Sequence, residues 1–141
     1  MPRGAALVTG AGRRIGRAIA LRLAEAGFDV AVHYRSDPDS ADEVVRAVQA
    51  MGRRAVALKA DLTDEPAARR LISAALAALG PLTVLVNSAS AFEDDRAGAL
   101  GRETWDLHFE TNLRAPLVLA EVFAERRRCC LRGPVLGSSF R

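Results

Sequence analysis

A short apolar run, a glycine-rich turn and a helix-spaced segment follow one another at the start of this chain, as LVTGAGRRIGRAIA over residues 7–20. Few folds accommodate that order. Residues 5–9 show no polar alternation, which suits a strand buried on both faces of a parallel sheet. Residues 10–12 predict a tight turn. Ile15, Ala18, Ile19, Leu21, Leu23 and Ala24 then repeat largely at helical spacing, and Gly27 is the stop. A turn between such a strand and such a helix presents backbone N–H groups and a helix N-terminus to an anion. Glycine is required where the backbone turns sharply, approaches a phosphate or packs a helix onto a strand, and Gly10, Gly12 and Gly16 stand in those places. One extra residue before the third glycine departs from G-x-G-x-x-G, and no Gly-Lys-Ser/Thr follows, which excludes a Walker loop. The bland alternative is a β–α turn that binds nothing.

The alternation continues. Residues 29–34 (DVAVHY) read as a second strand, and residues 40–51 as a helix with Val44, Val45 and Val48 inward. Residues 55–59 are a third strand. Thr63 is placed to cap a helix running to about Leu79, with Asp64 and Glu65 in its first turn. LTVLV at 82–86 is a fourth strand. Residues 103–125 predict one long helix that buries Trp105, Leu107, Phe109, Leu113, Leu117 and Leu119 and bends at Pro116. Strands alternating with helices over short turns imply right-handed crossovers and one α/β domain, a Rossmann-like doubly wound parallel sheet.

Charge is uneven along the 141 residues. Of 20 Lys+Arg and 17 Asp+Glu, five arginines and one glutamate fall at 125–141, leaving 15 against 16 in the rest. The basic character therefore belongs to a tail, ERRRCCLRGPVLGSSFR, with no interleaved aromatics to stack bases, and we expect no nucleic-acid partner. Cys129 and Cys130 are adjacent, a poor disulfide pair and too few ligands for a metal site. No apolar run is long enough to cross a bilayer, and the first residues lack a signal-peptide core. The expected setting is the cytoplasm, with a small-molecule substrate as partner.

Thr-Gly-x-x-x-x-Ile-Gly at residues 9–16 resembles the cofactor fingerprint of the short-chain dehydrogenase/reductase family, which usually has Thr-Gly-x-x-x-Gly-Ile-Gly. Here Arg14 occupies the middle glycine position, as in the pteridine-reductase-like branch that includes dihydromonapterin reductases. The resemblance covers residues 5 to about 124 and implies about four of the family's seven strands. It makes residues 1–124 the N-terminal part of an NADP(H)-binding domain and 125–141 an atypical basic tail.

The second strand carries the choice of cofactor. An acid at its end binds a ribose 2′-hydroxyl, whereas arginine accommodates a 2′-phosphate. The strand ends in His33, Tyr34, Arg35 and Ser36, with no acid before Asp37. Arg35 offers a planar fork to a phosphate, Ser36 a hydrogen bond, and Arg13 and Arg14 begin the first helix nearby, which favours NADP(H) over NAD. The alternative is a solvated basic edge. HYRS also resembles the His-Tyr-x-Arg-Ser segment of pteridine reductases. His33 itself reads as structural.

By the same resemblance, Asp61 and Leu62 form the family's Asp-hydrophobic pair, with Asp61 on the adenine amino group. Asn87, Ser88, Ala89 and Ser90 stand where the family has Asn-Asn-Ala-Gly. Asn87, Ala89 and Ser90 would support the sheet and line the cofactor. Ser90 would also meet substrate, and Phe92 would stack on a flat pterin ring, or else simply anchor the loop. Asn112 matches the asparagine that holds a water in the family's proton relay.

The family's reaction needs a Tyr general acid, a Lys four residues later and usually a Ser. The only Tyr is Tyr34 and the only Lys is Lys59. Two readings of the tail compete. One is unrelated sequence, such as a frameshift product. The other is a poor fifth strand with Ser138 or Ser139 near the catalytic Ser position. The Arg run, the Cys pair and Pro134 suit a buried strand badly and favour the first. The expectation is an NADP(H)-dependent oxidoreductase, acting on a small carbonyl or imine in the intact parent and homo-oligomeric there. The alternative is a non-catalytic NADP(H)-binding module or an inactive truncated fragment. A sheet of four strands would leave an apolar edge and a marginally stable fold unless covered.

Overall fold

The computed structural model describes residues 3–131. Helices and strands alternate as the sequence predicts: β1 (Ala5–Val8), α1 (Arg14–Glu25), β2 (Asp29–Tyr34), α2 (Pro38–Ala50), β3 (Ala55–Lys59), α3 (Glu65–Leu79), β4 (Leu82–Val86), α4 (Arg102–Phe109), one π-helical turn (Glu110–Arg114) and α5 (Ala115–Leu131). All strand pairs are parallel, in the order β3-β2-β1-β4. The chain steps outward from β1 to β2 and β3, then returns to the other side of β1 for β4. The strand order therefore reverses between β1 and β4, the place where such sheets open a crevice.

The period-two geometry of the strands divides the core. Val8, Val30 and Val32 point to one face and pack with Ala20 and Ala24 of α1 and Ala41, Val44 and Val48 of α2. Ala5, Leu7 and Ala31 point to the other, against Leu71, Ile72 and Ala75 of α3 and Leu119 and Val122 of α5. The central strands β1 and β2 are almost wholly buried, whereas β3 and β4 are half-buried edges.

Three local expectations are corrected. α2 begins two residues early, because Asp37 accepts the Ser40 N–H at 3.1 Å as its N-cap and Pro38 supplies a φ already suited to a first turn. α3 is preceded by Asp64 rather than capped by Thr63, whose N–H and hydroxyl both turn back to Asp61. The long helix after β4 is broken by the π-helical turn. Pro116 has no N–H for the Asn112 carbonyl, and its ring crowds that carbonyl, so the helix widens just ahead of it.

The buried set on that helix is also different. Leu119 is fully buried, but Trp105, Phe109, Leu113 and Leu117 are 41–63% exposed, and Leu107 is half-buried. α5 rests on α3 through Ala115, Val118, Leu119 and Val122, a different stripe from the four-residue repeat of the exposed set. Trp105 and Phe109 instead stack on each other at 4.1 Å. α5 continues past residue 124, where the composition changes, to Leu131. Glu-Arg-Arg-Arg are good helix formers, and Arg127 donates to the Thr83 carbonyl of β4 at 2.9 Å. The proposed fifth-strand segment and its Ser138 and Ser139 lie outside the described residues.

Leu119→Ala should therefore cost about 2–5 kcal/mol in urea unfolding. Leu117→Ala on the exposed stripe should stay within about 0.5 kcal/mol of the parent.

Candidate functional site

Parallel strands deliver all their carboxyl ends to one side of the sheet, and the turns leaving β1, β2, β3 and β4 enclose a cleft of about 570 Å³ there. That is the size of a small-molecule or cofactor site. Of the residues expected to bind cofactor, Gly10, Gly12, Arg13, Arg14, Ile15, Gly16, Arg35, Ser36, Asp61, Leu62, Ala89 and Ser90 all line it. Asn87 is exposed and does not. Ile15, expected inward on α1, is 72% exposed on the cleft wall.

The turn after β1 is built by close approach. Gly10 has φ +62, and a Cβ there would stand 2.8 Å from the Ala89 Cα; a Cβ on Gly16 would stand 2.1 Å from the Gly10 carbonyl oxygen. Protein packing alone dictates both glycines. Gly12 is different, since a Cβ there meets nothing nearer than 3.5 Å. Gly12 lines the cleft, where a bare Cα leaves its backbone open to close approach. Arg14 has φ +50, the one non-glycine left-handed residue among those described. A side chain in that conformation costs about 1–2 kcal/mol, which explains why glycine is usual at this position in the family it resembles.

Side chains hold the surrounding loops. Thr9 Oγ1 accepts the Ser88 and Ala89 N–H groups, each at 3.0 Å, tying the end of β4 to β1. His33 is 2% exposed; its Nδ1 accepts the Gly10 N–H at 3.0 Å and its Nε2 lies 3.0 Å from the Ala60 carbonyl. Asn112, in the π-helical turn, pairs with the Ala91 backbone in both directions at 2.8 Å, so its side-chain amide anchors the loop after β4. Phe92 is 81% exposed and lies parallel to His108, 8° between the planes and 6.0 Å between centroids. His108 Nε2 accepts the Glu93 N–H at 2.8 Å. Ser90 lines the cleft and Phe92 stands outside its lining.

The arginine cluster needs correction. Read along the chain it has no acid beside it, but the fold brings two. Arg13 Nε lies 3.7 Å from Asp37, and Arg35 Nε lies 3.9 Å from Asp61. Arg14 has no carboxylate partner among the described residues. Three guanidinium groups against two carboxylates still leave the corner net positive, and exposed pairs this loose hold their arginines only weakly. Hydrogen bonds from Ser40 hold the Asp37 carboxyl below its ordinary range, and those from Thr63 do the same for Asp61. Both are anionic at neutral pH. One oxygen of Asp61 is already occupied by Thr63, at 3.0 Å from its N–H and 2.7 Å from its hydroxyl.

The sequence assigns no individual binding role to Thr9, Tyr34, Asp37, Ser40, Ser88 or Thr111, of which all but Thr9 line the cleft. The Asp-x-x-Ser cap at 37–40 was a readable signal; the contribution of Thr111 was not, because the π-helical turn that presents it is invisible to periodicity.

A glycine-rich turn from a central parallel strand into a helix, beside an arginine corner at the point where strand order reverses, defines a nucleotide-binding α/β domain. The profile of the short chain dehydrogenase family matches residues 4–127, and the chain belongs to that family. It is 39% identical over 109 residues to the 3-oxoacyl-[acyl-carrier-protein] reductase of Staphylococcus aureus, covering 77% of this chain and 44% of the relative. Among solved structures it is similar to a blue fluorescent protein from a metagenomic library in complex with NADPH, with TM-score 0.84, 36% identity and coverage of 88% and 51%. It is also similar to alternative dihydrofolate reductase 1 from Brucella suis in complex with NADP, with TM-score 0.81, 39% identity and coverage of 87% and 49%. The chain thus spans about half the length of the proteins it matches. Among the described residues no helix is long and apolar enough to cross a membrane, and no cluster of His, Cys, Asp and Glu could hold a metal ion.

Two predictions follow from the turn. Gly16→Ala should destabilise by about 1–3 kcal/mol, since its neighbour is backbone and cannot swing away, whereas Arg14→Gly should stabilise by about 1 kcal/mol in the same unfolding assay. A third concerns pH. Burial pushes the His33 ring below its ordinary 6.5, against the Ala60 carbonyl and Asp61, which pull it up. The unfolded chain then takes up a proton that the fold resists. Stability should be full above about pH 6.5 and fall as the pH drops from there towards the lowered folded value; His33→Phe should flatten that slope.

Proposed function

We propose that this chain is the cofactor-binding half of an NADP(H)-dependent short-chain reductase of the pteridine-reductase-like branch, transferring a hydride to a small carbonyl or imine substrate, with a pterin as the substrate class. The observation that carries the cofactor reading is Gly12, which is bare without a packing reason on the wall of a cleft whose far corner is net positive. Two structural neighbours were crystallised with NADPH or NADP, and one of them is named a dihydrofolate reductase, whose substrate contains a pterin ring.

In this reading the amides of residues 10–16 and the first turn of α1 hold the pyrophosphate. Arg13, Arg14, Arg35 and Ser36 hold the 2′-phosphate, and a dianion there displaces the weak contacts to Asp37 and Asp61. Asp61 and Leu62 meet the adenine, and Ala89 and Ser90 support the nicotinamide side. Ser90 orients the substrate, Phe92 offers it an aromatic face, and Asn112 fixes the loop that carries both and orders the proton relay. When bound, the cofactor supplies the hydride at its nicotinamide C4. Residues 1–124 are the N-terminal part of the domain, and the intact protein is a cytoplasmic homo-oligomer.

The 141 residues contain no Tyr-x-x-x-Lys. A proton donor of that kind has to come from elsewhere, and the chain alone is expected to be inactive. This favours a second reading, a non-catalytic NADP(H)-binding module or inactive fragment. Calorimetric titration separates the cases. NADPH should bind at least about tenfold tighter than NADH, and Arg35→Ala should narrow that gap. Equal affinities would overturn the NADP(H) reading, and steady oxidation of NADPH by the isolated chain would overturn its inactivity.

A further inference from the structure

His33 touches both halves of the cleft from beneath. Its Nδ1 accepts the Gly10 N–H and its Nε2 faces the Ala60 carbonyl, each at 3.0 Å, while its own carbonyl accepts the Ala11 N–H at 3.0 Å. Gly10 begins the phosphate turn, and Ala60 immediately precedes Asp61 at the end of β3. One imidazole therefore spans from the turn after β1 to the loop after β3, across the β2 strand that carries it. The two bonds fix the proton. An N–H donor at Gly10 requires a lone pair on Nδ1, and a carbonyl at Ala60 requires a hydrogen on Nε2. Only the neutral ring with its proton on Nε2 satisfies both. Burial at 2% exposure excludes water as a substitute partner for either.

Gly10 is held at two further points. Gly16 packs on its carbonyl oxygen and Ala89 on its Cα. The N–H is the remaining handle, and His33 is the group that holds it. Without that acceptor the part-buried donor gains by rotating the Thr9–Gly10 peptide, which re-aims the amides that follow it.

We propose that His33 is a positioning residue for the dinucleotide, clamping the phosphate turn to the end of β3 so that the pyrophosphate-binding amides and Asp61 keep a fixed separation. This rests on the NADP(H) reading above and names a residue on which that reading depends without its touching the reaction.

The test compares the parent chain with His33→Phe, which keeps the ring volume without polar atoms, and His33→Gln, which retains an acceptor and a donor. The probes are NADPH, which spans both halves of the cleft, and adenosine 2′-monophosphate, which lacks the pyrophosphate. Long-range proton–nitrogen spectra of the parent should show His33 protonated on Nε2 and bare on Nδ1. His33→Phe should lose about tenfold in NADPH affinity and clearly less in affinity for adenosine 2′-monophosphate, which lacks the pyrophosphate, and His33→Gln should recover part of the loss. A proton on Nδ1, no change in NADPH affinity, or equal loss of both probes would overturn the proposal; equal loss would mean that His33 matters only for folding. Should His33→Phe not fold, the tautomer and the His33→Gln affinities decide by the same criteria. A parent chain that binds neither probe overturns the cofactor reading itself, and this proposal with it.

Discussion

The mouth of the cleft depends on one contact, the first turn of α1 pressed against the backbone that leaves β1. A Cβ on Gly16 would stand 2.1 Å from the Gly10 carbonyl oxygen, so the helix sits as near to the strand end as backbone can come. That closeness sets where the helix N-terminus points and which amides remain for a ligand. It also explains the density of tethers around Gly10. A turn packed this tightly has few alternative conformations of comparable energy, and His33, Thr9 and Ala89 remove most of those that remain. In the proposed reading, the anion site is preorganised by packing against the sheet.

Arg14 shows the opposing demand. At φ +50 a glycine would be cheaper, yet an arginine occupies the position. Strain of that kind persists where the surrounding structure over-determines the backbone, and it tends to gather at functional positions. Here the left-handed residue opens α1 on the cleft wall, and its guanidinium is the one of the three that has no carboxylate partner among the described residues. The backbone cost and the uncompensated charge fall on the same residue, at the corner where a 2′-phosphate would lie.

Much of this architecture was legible in the sequence because burial on both faces of a parallel sheet leaves a strong signature. Ala5 to Val8 and Val30 to Val32 are apolar without alternation, and Gly10 and Gly16 mark backbone that nothing larger can occupy. What was not legible depended on through-space partners. Asp37 and Asp61 meet Arg13 and Arg35 from other loops, so reading along the strand end could not show those pairs. The helix after β4 looked like one amphipathic element because an apolar residue recurs at every fourth position from Trp105 to Leu117. The π-helical turn and the footprint of α3 select another stripe, through Ala115, Val118, Leu119 and Val122. Hydrophobic spacing specifies a helix, but it does not specify which of two apolar stripes meets the core.

His33 marks where the two kinds of legibility meet. A histidine at the end of an apolar strand is most simply a core residue with satisfied nitrogens, and it is one. Yet the groups that satisfy it are the first amide of the phosphate turn and the last carbonyl before Asp61. The distinction between a structural residue and a functional one loses its edge at such a position, because the structure being held is the geometry of the binding site. The same holds for Asn112, whose side-chain amide bonds the Ala91 backbone in both directions and so fixes the loop that carries Ser90 and Phe92. In a fold whose site is made of turns at strand ends, the side chains beneath the turns set how well the turns bind, and their chemistry is constrained as tightly as that of the groups in contact with the ligand.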